Sequence, residues 1–301
     1  MEAFVHHITN KLSEIRKPKE PETKPLQFGE LKLWSFWRAV LAELVGTMLF
    51  VFLGCMSSIP LRTHTPLDHD PVKISLAFGL AIMALIQIFG HVSGGHFNPS
   101  VSVGMAVGNI ITPVRAIMYT LSQTGGAIIG GFILKGVSPE SVHSNLGLTQ
   151  LDNEVTSGQG VGIEIILTFT LVYVIIATTD SNRVDFGSVS VKIGLTVATL
   201  HLSAIHFTGA SMNPSRSLGI AVASNNFTDQ WVYWVGPLIG GSLSALMYKF
   251  LFNPYKGAIT MDDAVQKLAE DGTMVCIPRD YFRADSQRNG GEQVEKLSMN
   301  L

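Results

Sequence analysis

The chain has 301 residues, a formal net charge of −2 and 47% hydrophobic residues. Only 15% of its residues are charged, against about 25% in a soluble domain, and well over half of these lie in residues 1–38 and 249–301. The stretch between carries too little charge to coat a soluble surface, which excludes a soluble enzyme, a nucleic-acid binder and a disordered scaffold and leaves a membrane protein with two polar tails.

Residues 1–33 form an N-terminal tail of mixed charge without an apolar run and small-residue cleavage site. No cleavable signal is expected, and the first hydrophobic helix must direct insertion. A span needs about 20 mostly apolar residues, and six such stretches follow: about 36–58, 73–91, 113–135, 160–178, 189–206 and 230–252. Their interiors hold two carboxylates, Glu43 and Glu164. An even number of spans puts both termini on one side. Lys and Arg crowd residues 1–38, and Arg183 and Lys192 flank the loop at 179–192; that excess marks the cytoplasmic side. Lys135, at the outer end of its span, runs against the bias. Cys55 and Cys276 fall on different sides or at different depths, so no intrachain disulfide is expected.

Two apolar stretches, about 97–109 and 212–223, are too short to cross, and each opens with Asn-Pro. Asparagine is a favoured helix N-cap and proline suits the first helical position. Asn98-Pro99 and Asn213-Pro214 therefore read as the starts of short helices. Non-helical backbone at membrane depth is tolerated only inside protein or beside a water-filled cavity, so two half-helices imply a cavity. The stretches are also copies of each other. Ser93-Gly94 precedes Asn98-Pro99-Ser100, Ser102 and Gly104, and Thr208-Gly209 precedes Asn213-Pro214-Ser215, Ser217 and Gly219 at the same spacings. Glu43 in the first span answers Glu164 in the fourth. Three spans per repeat is odd, so the second copy inserts upside down, an architecture of transporters with sites at the midplane. Repeat one covers about 34–135 and repeat two about 158–252, inside a channel domain of 34–256.

Two Asn-Pro-small motifs in six spans, with a glutamate in spans one and four and Arg216 after the second motif only, resemble the aquaporin, or major intrinsic protein, family. The resemblance runs from about Trp34 to Phe252. The blocks Val72–Gly79 and Gly158–Glu164 look like its water-selective branch. It implies an all-α membrane fold of six transmembrane helices and two re-entrant half-helices. It further implies a homotetramer with one pore per subunit, most simply in the plasma membrane, that passes water and touches lipid. One departure is plain: Ser100 and Ser215 stand where the family usually has alanine.

The central motif, Asn98, Pro99, Ser100, Asn213, Pro214 and Ser215, would present two asparagine amides to a passing water oxygen. Two positive helix ends would then meet at mid-pore. By the resemblance Phe78, His201, Ala210 and Arg216 form an outer selectivity filter, with one greasy and one polar wall suited to water. Glycerol-conducting relatives tend to have a small residue in place of His201 and Asp in place of Ser217. Ala210 replaces a cysteine of some relatives, so mercurial block there is not expected. His96 resembles a pore-lining histidine of the cytoplasmic half. Glu43 and Glu164 are structural supports for the re-entrant loops. Gly126-x-x-x-Gly130 and Gly236-x-x-x-Gly240 allow close helix packing. Asn226-Phe227-Thr228 is a glycosylation sequon near the outer surface. Residues 257–301 form a polar cytoplasmic tail, partly disordered, with a short helix near 262–270 and serines such as Ser286 and Ser298. With no nucleophile–base pair and no metal-ligand cluster, neither enzyme activity nor a cofactor or metal is expected, and nucleic acid is not a partner. The alternatives are a channel that also passes hydrogen peroxide, ammonia or glycerol, and a slow or closed member with a structural role.

Overall fold

A computed structural model describes residues 28–59, 70–180 and 187–252. The expectations for Cys276, Arg183, the helix near 262–270, Ser286 and Ser298 lie outside these residues. The described residues form eight α-helices: α1 (Trp34–Met56), α2 (Pro71–Ser93), α3 (Pro99–Val107), α4 (Pro113–Val137), α5 (Ser157–Thr179), α6 (Val189–Thr208), α7 (Pro214–Ser224) and α8 (Val232–Met247). A π-helical turn, Tyr248–Phe252, extends α8. Six are long and apolar enough to cross a membrane, with α8 counted through Phe252, whereas α3 and α7 are not. Span ends fall within three residues of those read from the sequence.

Local chemistry explains the boundaries. Asp70 caps α2 by accepting from the backbone N–H of Val72 and Lys73, with Pro71 at the first position. Thr112 and Pro113 do the same for α4, and Thr156 with Gln159 closes a reciprocal capping box at α5. These side chains supply acceptors for N–H groups that have no partner inside the helix. α2 and α6 both stop at a glycine in left-handed conformation, Gly94 with φ 94° and Gly209 with φ 75°, a backbone that glycine adopts without a Cβ penalty. Pro237 lies inside α8, tolerable where neighbouring helices shelter the freed backbone.

The packing repeats with the inversion. α1 lies along α4 as α5 lies along α8; α2 meets α6 across the two halves; α7 packs on α4 as α3 packs on α8. Glycines set the closest approaches. A methyl on Gly126 or Gly130 would strike the backbone carbonyl of Leu44 or Met48 on α1, and one on Gly240 would strike that of Ile165 on α5. Leu44 and Ile165 each follow a buried glutamate, so Gly240 is the counterpart of Gly126. The two Gly-x-x-x-Gly motifs are therefore one helical turn out of register with each other. Gly236 instead packs against Glu164 itself. Outward-facing residues such as Leu41, Leu80, Leu121, Ile166 and Leu195 are exposed and apolar, a surface matched to hydrocarbon.

Candidate functional site

The half-helices α3 and α7 begin at the proline of each motif, with Asn98 and Asn213 as N-caps. The side-chain oxygen of Asn98 accepts from the Ser100 backbone at 2.8 Å, and that of Asn213 from the Arg216 backbone at 3.2 Å. Each amide nitrogen then reaches across to the opposite loop: Asn98 Nδ2 donates to Met212 O and Asn213 Nδ2 to Phe97 O, both at 2.8 Å. Phe97 and Met212, each one residue before its asparagine, are held at φ 48° and φ 53°, a left-handed backbone that costs a non-glycine residue about 1–3 kcal/mol. The two loops thus clamp each other, and the amide orientation is fixed from both ends. An amide nitrogen carries two N–H groups, so each asparagine keeps one beyond the clamp. Both helix N-termini, with their partial positive charge, converge on the same point.

Glu43 and Glu164, both fully buried, tie these loops to the spans. Glu43 accepts from Ser93 Oγ at 2.6 Å, His96 N at 3.0 Å, Phe97 N at 2.6 Å and Gln123 Nε2 at 2.7 Å. Glu164 accepts from Thr208 Oγ1 at 2.7 Å, Ser211 N at 2.9 Å and Met212 N at 2.7 Å. Every bond is donated to the carboxyl group, and each one unmade would leave a buried donor unsatisfied at a cost of about 1–3 kcal/mol. Tyr119 and Tyr233 complete the symmetry, donating to the carbonyls of Ser93 and Thr208.

Three of the four expected filter residues come together. The rings of Phe78 and His201 stack at 4.6 Å between centroids, inclined by 15°. The Arg216 guanidinium lies 5.1 Å from the Phe78 centroid, within range of a cation–π contact. All three are nearly inaccessible to solvent. His201 Nδ1 lies 3.0 Å from the Val197 carbonyl. His201 Nε2 and Arg216 Nε and Nη1 have no partner among the described residues, so one potential acceptor and two donors remain for a guest. Ala210 is buried in the α6–α7 loop at φ 48°, its N–H bonded to Thr208 Oγ1; no hydrogen bond or ring contact joins it to the other three among the described residues.

Cavities open on either side of this group. One of about 300 Å³ is bounded by His96, Asn98, Asn213, Ile175, Val189 and His201. The other, of about 360 Å³, is bounded by Asn145, Gly147, Asp152, His206, Gly209 and Arg216. The first reaches the α5–α6 end of the bundle and the second the loop joining α4 to α5, so together with the constriction they trace a line through the molecule. His96 stands in the first cavity, with Nδ1 3.0 Å from Ser102 Oγ.

The two serines in the alanine positions behave differently. Ser215 Oγ lies 3.2 Å from Thr124 Oγ1, whereas Ser100 Oγ is buried without a partner among the described residues. Asn226 follows α7, partly exposed, with its side-chain oxygen accepting from Thr228 N at 3.1 Å. Sequence reasoning missed Gln123, Tyr119, Tyr233 and Lys135. Aligning the repeats would have paired the two tyrosines. Lys135, read only as a breach of the charge bias, donates to Ala223 O at 2.8 Å in the last turn of α7, where a cation offsets the helix dipole.

Paired half-helices, clamped head to head inside an inverted repeat and flanked by cavities on both sides, define an integral membrane protein of the pore-forming class. The sequence profile described as major intrinsic protein matches residues 30–248, and the chain belongs to that family. Aquaporin-1 of Mus musculus is 46% identical over 237 residues, 77% of this chain and 88% of its own. Aquaporin-4 of Mus musculus is 46% identical over 222 residues, 73% of this chain and 69% of its own. Among solved structures, the aquaglyceroporin from Plasmodium falciparum superposes with a TM-score of 0.65 at 26% identity, covering 73% of this chain and 98% of that one.

Proposed function

We infer that the chain is a passive water channel, driven by osmotic gradients, whose selectivity resides in the Phe78–His201–Arg216 constriction and whose proton barrier resides at Asn98 and Asn213. The observation that carries the reading is the mutual clamp of the two asparagines at the meeting point of α3 and α7. The remaining amide N–H of each asparagine donates to a passing water oxygen. That water's hydrogens are turned outward on both sides, and a continuous proton wire is broken there. The converging helix ends add a positive field that opposes hydronium and cations. At the constriction Arg216 donates to water and repels cations, His201 supplies a polar wall, Phe78 supplies the apolar one, and Ala210 leaves room beside them. Pro99 and Pro214 fix the start of each half-helix, Glu43 and Glu164 hold the loops, and His96 lines the cytoplasmic half.

The imidazole of His201 and the hydroxyl at Ser217 favour water over glycerol. The assembly this reading takes is a homotetramer in the plasma membrane, one pore per subunit, with both termini cytoplasmic and Asn226 available to glycosylation outside. Stopped-flow light scattering of proteoliposomes under sucrose and then glycerol gradients tests it. Fast shrinkage in both with slow glycerol re-entry is the expected outcome. Rapid glycerol re-entry would move the chain among solute-permeable channels, and shrinkage no faster than empty vesicles would refute the reading.

A further inference from the structure

The inner half of the site contains a polar chain whose glutamine and histidine have no counterpart in the second repeat. Gln123 Nε2 donates to Glu43 Oε2 at 2.7 Å and to Ser102 Oγ at 3.0 Å, and Ser102 Oγ lies 3.0 Å from His96 Nδ1. Pairing Tyr119 with Tyr233 places Pro237 where Gln123 stands. The second repeat uses Thr149 from the α4–α5 loop instead, donating to Ser217 Oγ, which in turn meets Ser211 Oγ.

Donor and acceptor counting along the chain, which leaves Gln123 Oε1 without a partner among the described residues, assigns where the protons lie. The Glu43 oxygens receive three hydrogen bonds from Ser93, His96 and Phe97 and offer acceptors only, so the group facing Oε2 is the Gln123 amide nitrogen, and its NH2 faces Ser102 as well. The Ser102 hydroxyl, fully buried, therefore accepts from Gln123. Its own proton has one neighbour left to receive it, the lone pair of His96 Nδ1. If Nδ1 instead carried the proton, the buried Ser102 hydroxyl would be left without an acceptor, a cost of about 1–3 kcal/mol. The Tyr119 ring, edge-on to His96 at 5.4 Å and 82°, fixes the imidazole plane. Around His96 the charged groups are Glu43 on α1, bonded to its backbone N–H, and Arg115 on α4, bonded to Tyr119. At the constriction the order is reversed: Nδ1 of His201 faces the Val197 carbonyl, which can only accept, so the neutral ring leaves Nε2 bare.

We propose that Gln123 and Ser102 are positioning residues that hold neutral His96 as the Nε2–H tautomer. The two pore histidines then present opposite polarity to water, a donor at His96 and an acceptor at His201. A water leaving the asparagines toward His201 has its hydrogens pointing outward and finds a lone pair there. A water leaving toward His96 also points its hydrogens outward and uses its spare oxygen lone pair for the His96 N–H. The proposal rests on the water-pore reading, but the tautomer can be measured without permeation.

The test is solid-state 15N NMR of 15N-histidine-labelled protein in liposomes, with His96 and His201 assigned by the signals lost in His96→Asn and His201→Asn. The expected wild-type spectrum has a bare Nδ1 and protonated Nε2 at His96, and the reverse at His201. Ser102→Ala and Gln123→Met should each lose the pure His96 signature and give a mixture of tautomers, with the His201 signals unmoved. A protonated Nδ1 at wild-type His96, or a pure Nε2–H signature that survives both substitutions, would overturn the proposal. Should Gln123→Met fail to assemble, the wild-type spectrum and Ser102→Ala still decide it. Water flux measured on the same vesicles separates failure of this assignment from failure of the pore reading.

Discussion

Gly54 on α1 faces the back edge of Phe78, and the constriction's width depends on it. A methyl at Gly54 would sit 2.8 Å from Phe78 Cζ and closer still to Cδ1 and Cε1, whereas carbon atoms rest about 3.5–4.0 Å apart. The ring must give by about 1 Å or more. It is hemmed in by Phe50, edge-on at 5.5 Å, by His201 stacked at 4.6 Å, and by Arg216 at 5.1 Å. The open direction is the passage itself. Overpacking of this kind costs about 1–3 kcal/mol; where a passing water must push the displaced ring back against that strain, the slowing is about 5- to 150-fold. Gly54→Ala should therefore assemble normally but conduct water far more slowly, read by stopped-flow shrinkage normalised to the amount of reconstituted protein. Adding Phe78→Leu to Gly54→Ala should restore much of the rate by giving the methyl its space. A Gly54→Ala channel at wild-type rate, or a double variant no faster than Gly54→Ala alone, would show that Phe78 does not set the narrow point.

Three further outcomes follow from the site. His201→Gly with Arg216→Val should admit glycerol, seen as rapid re-swelling after a glycerol jump; unchanged water and glycerol rates would remove these residues from the constriction. Arg216→Val alone should raise cation leak by about 10²-fold, because a cation passing roughly 5 Å from a guanidinium meets about 3 kcal/mol of repulsion at an effective dielectric of 20. Arg216→Lys should retain most of that exclusion, both variants being read with a cation-sensitive dye trapped in the vesicles. Glu164→Gln turns an amide NH2 toward backbone donors that now bond to a carboxyl oxygen. Leaving one buried backbone N–H unsatisfied, about 1–3 kcal/mol, should lower the thermal midpoint in detergent, and an unchanged midpoint would contradict the anchoring role.

Much of this architecture was legible in the sequence because its strongest signals are local. Apolar length marks the spans, Asn-Pro marks the half-helices, and the duplicated spacing of Ser93-Gly94 and Thr208-Gly209 to the asparagines betrays the inversion. Phe78, His201 and Arg216 could be named only through a family resemblance, since nothing in the intervening residues states that α2, α6 and α7 meet. Gln123 stayed hidden for a related reason. A glutamine inside a span is an ordinary polar residue until the fold sets Glu43 on one side of it and Ser102 on the other. The glycine motifs announce close packing but not register, because their partners are backbone carbonyls of other helices.

The repeat supplies a nearly symmetric frame, and chemical direction comes from where the copies differ. Both loops share the buried glutamate, the tyrosine, the left-handed residue before the asparagine and the proline after it. These features position two equivalent amides and would serve either direction of flow alike. Arg216 occurs in one copy only; its place in the other is filled by Val101. The histidine of the first loop, His96, is replaced by Ser211 in the second, and the second copy's pore histidine comes from α6 instead. The narrow, charged end is thereby confined to one side of the asparagines, and from His201 inward a cavity of about 300 Å³ runs past both asparagines to His96. A symmetric pair of filters would place two cationic barriers in series and add a second narrow passage for water to cross. On the proposed reading, confining the constriction to one side keeps the exclusion of cations and larger solutes while only one passage limits the rate.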